Sequence, residues 1–169
     1  MTRILAIDPG NTHSGWALIN TTDCYPIAFA KTDNDELRRS IRAGNFLDAT
    51  HVHIEMVASY GMAVGATVFD TCVWIGRFHE AIHVVRPSAA VDLTFRRDVK
   101  LHHCGQTKAK DSNIRQALVD RFAPGQPNHG KGTKADPGWF HGFHADVWQA
   151  YALAVLAADR IENRPGVAA

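Results

Sequence analysis

Three carboxylates stand where the chain changes direction: Asp8, Glu55 and Asp146. Asp8 ends the apolar run Ile4-Leu5-Ala6-Ile7 and is followed at once by the strand-breaking pair Pro9-Gly10. The run fits a strand buried on both faces. A carboxylate at the end of such a strand is costly to desolvate unless something pairs with it. Asp8 is therefore either a surface turn residue or part of a metal or phosphate site. Glu55 belongs to His51-Val-His-Ile-Glu-Met-Val57, whose alternation puts Val52, Ile54 and Met56 on one face and His51, His53 and Glu55 on the other. Alone it reads as a solvated strand residue. Two neighbouring parallel strands ending on acids would instead bring Asp8 and Glu55 together outside the carboxyl ends of a sheet. Asp146 opens the last helix, where an acid complements the helix dipole. It also shares a face with Ala150 and Leu153, so an inward-facing stripe would carry it to the same sheet end.

A second group of residues suits phosphate. Residues 96–134 hold nine Lys or Arg against three Asp, a net charge of +6 in a chain whose overall charge is +1. The segment is either a solvated surface or a phosphate-binding face. Lys108 and Lys110 stand beside the predicted start of a helix, with Arg115 in its first turns and Lys100 just upstream. Ammonium groups and backbone amides there could hold one phosphate together. Tyr60, in the loop Ser59-Tyr60-Gly61-Met62, is either a stacking aromatic for an unpaired base or a cover for the next helix start.

The elements that must position these residues follow from periodicity and turn chemistry. Asn11 and Gly15 support a hairpin, with a second strand over Ser14–Ile19 and a third over Pro26–Lys31. Asp33 or Asn34 caps a helix through Leu37 and Ile41 to about Arg42. A helix is predicted over Ala63–Ile82. Val64, Val68, Cys72, Ile75 and His79 form one stripe, and Phe69, Val73 and Trp74 a second, which points to a subunit interface. His83–Arg86 reads as a fifth strand stopped by Pro87, and Ser88 as the cap of a short helix through Val91–Phe95. Asp111 or Ser112 caps a helix over Asn113–Phe122. Residues 123–143 read as a long loop, functional or mobile. The last helix runs from about His144 to Glu162. Its alanines let it lie close to the sheet.

With 169 residues, 46% of them apolar and 21% charged, the chain has the composition of one globular domain with a sizeable core. The domain is expected over residues 1–163, with 164–169 as a frayed tail. Three cysteines without metal-type spacing argue against a disulfide framework and for a reducing compartment. No signal peptide and no membrane-length apolar run is visible, so a cytoplasmic protein with no membrane association is expected.

The stretch Asp8-Pro-Gly10-Asn-Thr12-His-Ser-Gly15 resembles two groups. One is the first phosphate loop of the sugar-kinase and actin-like ATPases, which need two such domains. The other is the first motif of the RuvC-like Holliday junction resolvases. Three further features resemble the latter over nearly the whole chain: the Ile54-Glu55 strand before a long helix, the Gly/Lys-rich approach to the next helix, and the Ala-rich last helix led by Asp146. The simple motifs look more like phage-type members. The resemblance implies an α/β fold, a ribonuclease H-like mixed five-stranded sheet flanked by helices. It also implies a homodimer that cuts four-way junctions. Asp8, Glu55 and Asp146 would hold two Mg²⁺ per site, with Mn²⁺ able to substitute, and Lys100, Lys108, Lys110, Arg115 and Tyr60 would meet DNA. One departure concerns the closing motif, Asp146-Val-Trp-Gln149-Ala150, which has Gln where the family typically has a second acid. The fourth ligand is left between Gln149, His144 and water. Two alternatives remain: a nucleotide-binding fragment of the actin-like kind, and a catalytically weak branched-DNA-binding module.

Overall fold

A computed structural model describes residues 2–59, 61, 63–163 and 166 of the chain. Its centre is β1 (Arg3–Asp8), whose Ile4, Leu5, Ala6 and Ile7 are fully buried. β1 pairs antiparallel with β2 (His13–Asn20), and β2 pairs antiparallel with β3 (Pro26–Asp33). On its other side β1 pairs parallel with β4 (Ala49–Met56), and β4 pairs parallel with β5 (Ala90–Phe95). The mixed five-stranded sheet has the order β3-β2-β1-β4-β5.

Helices cover both faces. α1 (Asn34–Arg42) is capped by Asp33, whose carboxylate accepts from the amides of Asp35 and Glu36 at 3.0 and 3.2 Å. With α2 (Ala66–Val85) it closes a core of Leu5, Ile7, Leu18, Leu37, Val52, Ile54 and Phe78. On the opposite face α5 (Ala145–Ile161) lies across β1, β2 and β4. Its buried Ala150, Ala152, Ala154, Ala157 and Ala158 permit that close approach. α3 (Arg96–Cys104) and α4 (Asp111–Phe122) pack beside it. Among the described residues no helix is long and apolar enough to cross a membrane.

The stretch 83–95 departs from the sequence reading. His83–Val85 is the last turn of α2 rather than a strand. The helix stops at Arg86 because the residue before a proline is pushed out of the α region, and Arg86 has φ −144° and ψ 80°. Ala90–Phe95 is a strand rather than a helix. Val91, Leu93 and Phe95 alternate with Asp92 and Thr94, and β-branched and aromatic residues at that period favour an edge strand. α3 then begins without a break and ends at Gly105, whose left-handed φ of 68° suits glycine. α4 begins at Asp111, one residue after its cap Lys110, and Asn113 Oδ1 accepts from the Lys110 amide at 2.9 Å.

The loop 123–143 is anchored by its aromatic residues. Phe140 and Phe143 are buried against Trp148 and Tyr151 of α5. Trp139 stacks on Phe122 and donates to the Tyr151 hydroxyl at 3.0 Å. This cluster ties down the start of α5. On α2, two residues of the second predicted stripe, Phe69 and Val73, are 59% and 52% exposed. Trp74, its third member, turns inward instead, with its ring centroid 5.7 Å from that of Phe78 and 4.6 Å from the Arg77 guanidinium. Of the tail expected at 164–169, only Gly166 is described.

Candidate functional site

Strand register builds the first half of the site. Ile7 of β1 pairs with Ile54 of β4, so the next residues, Asp8 and Glu55, occupy equivalent places at the carboxyl ends of adjacent parallel strands. The turn after Asp8 is held from inside. Buried Ser14 donates to Asn34 Oδ1 at 2.6 Å, and the Asn34 amide donates to the Gly10 carbonyl at 2.9 Å. A Cβ on residue 10 would lie 2.3 Å from the His13 carbonyl oxygen, so this turn requires glycine there.

The second half comes from a gap in the sheet surface. Lys31, Gly15 and Asp8 pair in one row across β3, β2 and β1. Gly15 leaves the middle of that row without a side chain, and the first turn of α5 fills the space. A Cβ on residue 15 would stand 2.4 Å from the Asp146 carbonyl oxygen. Asp146 therefore sits over Gly15 between its row neighbours, with its carboxylate 2.6 Å from the Lys31 ammonium.

Asp8, Glu55 and Asp146 line one open pocket of about 500 Å³, together with Arg96, Asp111, Ser112, Arg115, Trp148 and Gln149. Arg96, the first residue of α3, follows β5 directly, and Glu55 pairs with Thr94 of that strand. Its guanidinium donates to Glu55 at 3.2 Å, to Asp111 at 2.5 Å and to the Gln149 side-chain oxygen. Among the described residues no side chain hydrogen-bonds the Asp8 carboxylate, although its backbone pairs with Gly15 of β2. Burial pushes the Asp8 carboxyl up to about 8, and the Glu55 carboxylate beside it pushes the same way, against the opposing charge of Arg96. Burial also raises Glu55, while the charge and hydrogen bond of Arg96 hold it down. Burial works against the charge on Arg96, but Glu55, Asp111 and Asp8 together keep it more firmly protonated than usual.

The donors are hard oxygens of the kind that Mg²⁺ and Mn²⁺ take, and a crowded carboxylate such as Asp8 is relieved by a cation. The set thus fits a divalent ion in its chemistry. Among the described residues, however, no three such side chains are drawn together in a metal-holding arrangement. Arg96 and Lys31 stand on the acids instead.

The remaining sequence-predicted residues distribute unevenly. Arg115 and Gln149 both line the pocket, and Gln149 accepts from Arg96 there. Lys100 lies in an adjoining groove with Arg96, Arg97 and Thr107. Lys108 and Lys110 are exposed before α4 and do not line the pocket. His144 is the exposed N-cap residue of α5, outside the pocket lining. Tyr60 lies outside the described residues. Lys31, Arg96 and Asp111 are the site residues that sequence reasoning missed. A correct placement of β5 would have exposed Arg96, since it puts a charged residue one step past a third parallel strand.

No family model and no curated protein matches the sequence, whereas solved structures match the fold. A Thermus thermophilus RuvC structure superposes with a TM-score of 0.64 at 15% identity, over 98% of this chain and 99% of that one. T. thermophilus RuvC in complex with Holliday junction substrate gives 0.62 at 14% identity, over the same shares. The chain has the RuvC-like fold, an α/β architecture of ribonuclease H type.

Proposed function

We propose that this chain is a Mg²⁺-dependent endodeoxyribonuclease that resolves four-way DNA junctions as a homodimer. The observation that carries the reading is the convergence of Asp8, Glu55 and Asp146, from three separate elements, in one open pocket bordered by basic residues. The likeness to a RuvC bound to Holliday junction substrate supports the choice of DNA.

Asp8, Glu55 and Asp146 would hold the metal, Mg²⁺ or in its place Mn²⁺. Bound there, a pair of ions would supply water activation and stabilisation of charge on the attacking and leaving oxygens. The chain's own groups do the rest. Asp8, at the end of β1 before the turn that the Ser14–Asn34–Gly10 network holds, is the fixed point against which the other acids are set. Arg115 and Arg96 place positive charge at the pocket, where a phosphodiester would enter. Lys100, Lys108 and Lys110 extend that charge along the surface, where they would contact phosphates without reading sequence. The exposed Phe69 and Val73 of α2 supply the dimer contact, and a two-fold dimer would set two pockets against the two-fold symmetry of the junction.

A second reading has its own support. Arg96 and Lys31 already neutralise Glu55 and Asp146, and Gln149 replaces an acid, as a junction-binding module with weak catalysis would tolerate. Incubation of the protein with a synthetic four-way junction and Mg²⁺ separates the two. Paired nicks in opposed strands support the resolvase, and tight binding without nicks supports the module.

A further inference from the structure

Arg96 differs from Lys31, the other cation that stands on an acid of the site, in how it is held. It donates to acceptors from three elements, Glu55 of β4, Asp111 of α4 and Gln149 of α5, and its side chain is only 20% exposed. Lys31 pairs with one carboxylate and is 46% exposed. An exposed pair of that kind yields readily to a competitor, whereas a buried, multiply bonded cation leaves uncompensated charge behind when it goes. The backbone also fixes Arg96. α3 starts where β5 ends, so its Cα cannot move far from Glu55.

Gln149 fits this arrangement. An amide oxygen accepts from a guanidinium without adding a further negative charge to a cluster that already holds Asp8, Glu55, Asp111 and Asp146. Arg96 therefore delivers to Glu55 the charge that a metal ion would deliver, and both cannot take the Oε2 oxygen that Arg96 holds.

We infer that Arg96 is a resident cation of the site that competes with divalent metal for Glu55 and so sets the metal affinity of the pocket. This rests on reading the acid cluster as a metal site, but it concerns binding and not cleavage. Two effects of opposite sign follow from removing the charge. Without metal, Glu55, Asp111 and Asp8 face one another uncompensated and the fold is weakened. With metal, the competitor is gone and the ion is held more tightly. Lysine at 96 would keep the charge but lose the fork that bonds several acceptors at once.

The test is calorimetric titration of the full chain with Mn²⁺ alone, with thermal unfolding in chelator and in Mn²⁺. Arg96→Gln should bind Mn²⁺ roughly tenfold more tightly than wild type, as expected for removal of a nearby unit charge in a partly shielded pocket. Arg96→Lys should fall between the two, and Lys31→Met should stay within about twofold of wild type. Adding Glu55→Gln to Arg96→Gln should abolish the gain. Arg96→Gln should unfold at a lower temperature than wild type in chelator, with the gap narrowed by Mn²⁺. Unchanged or weaker binding by Arg96→Gln, a gain that survives loss of Glu55, an equal gain in Lys31→Met, or no Mn²⁺ binding by any variant overturns the inference. If Arg96→Gln does not fold without metal, Arg96→Lys decides alone: it must bind Mn²⁺ more tightly than wild type. Failure of the nuclease reading would look different, as wild type and variants that keep this ranking yet leave junctions uncut.

Discussion

Gly15 and Asp146 are in contact through the backbone: a Cβ at residue 15 would stand 2.4 Å from the Asp146 carbonyl oxygen and 2.9 Å from the Asp146 Cβ. The missing side chain in β2 is what lets α5 begin beside Asp8. Gly15→Ala should therefore act on the site through position. The obstruction is backbone, which cannot swing aside, so the variant should lose about 1–3 kcal/mol of stability. It should also lose well over tenfold in junction cleavage while still binding DNA. Gly76→Ala is the control, because its Cβ would meet nothing within 4 Å in the middle of α2. It should be neutral or slightly stabilising.

Asp8 gives a pH dependence with a defined sign. Its carboxyl is raised from 3.8 to about 8 by burial and by Glu55. The folded protein thus holds a proton there that the unfolded chain has released. The stability this represents is complete below pH 4 and is lost as pH rises towards 8. Asp8→Asn, which cannot ionise, should unfold at a higher temperature than wild type at pH 8 in chelator, by roughly 5 °C or more, with the difference vanishing near pH 4. Metal binding must displace the same proton, so Mn²⁺ affinity should climb between pH 6 and 8.5. Proton release in calorimetry with buffers of different ionisation enthalpy checks this.

The exposed cations before α4 should govern affinity alone. Lys108 and Lys110 lie outside the pocket lining, so replacing both with Gln should weaken binding to all DNA sequences alike. The slope of log affinity against log salt should fall by about 2, one for each phosphate no longer neutralised. The cleavage rate of saturated complex should hold. A sequence-selective loss would place these lysines on base edges instead.

The α2 surface predicts the oligomeric state. Phe69 and Val73 are the exposed apolar residues of its outer face in the first half of the helix. Sedimentation of the wild type should give a dimer at micromolar concentration, and Phe69→Glu with Val73→Lys should give monomers that still fold. A wild-type monomer would remove α2 as an interface.

Much of this was legible in the residues. The buried run before Asp8, the alternation through Glu55 and the alanines of α5 each state their element and face. Asp8 and Glu55 then meet because parallel strands that end alike present their ends together. Residues 83–95 were not legible in the same way. Val84 and Val85 are β-branched but remain in the helix because α2 packs as one unit up to Pro87. β5 is a short edge strand of six residues whose alternating Val91, Leu93 and Phe95 stay half-buried or exposed, so its apolar face marks no buried core. Misplacing β5 hid Arg96, whose role depends on following that strand by one residue. Lys31 and Asp111 carry no local mark either. They join the site through cross-strand register and the packing of α4, which are long-range facts.

The central claim is that Asp8, Glu55 and Asp146 act as one metal-dependent cleavage site. The most direct measurement is cleavage of a synthetic four-way junction in Mg²⁺ by wild type, Asp8→Asn, Glu55→Gln and Asp146→Asn, with junction binding measured alongside. Paired nicks by the wild type, no detectable cleavage by any of the three variants, and binding near wild type in all of them are the expected results. Normal turnover by any one variant would remove that residue from the site, and cleavage by all three would contradict the account.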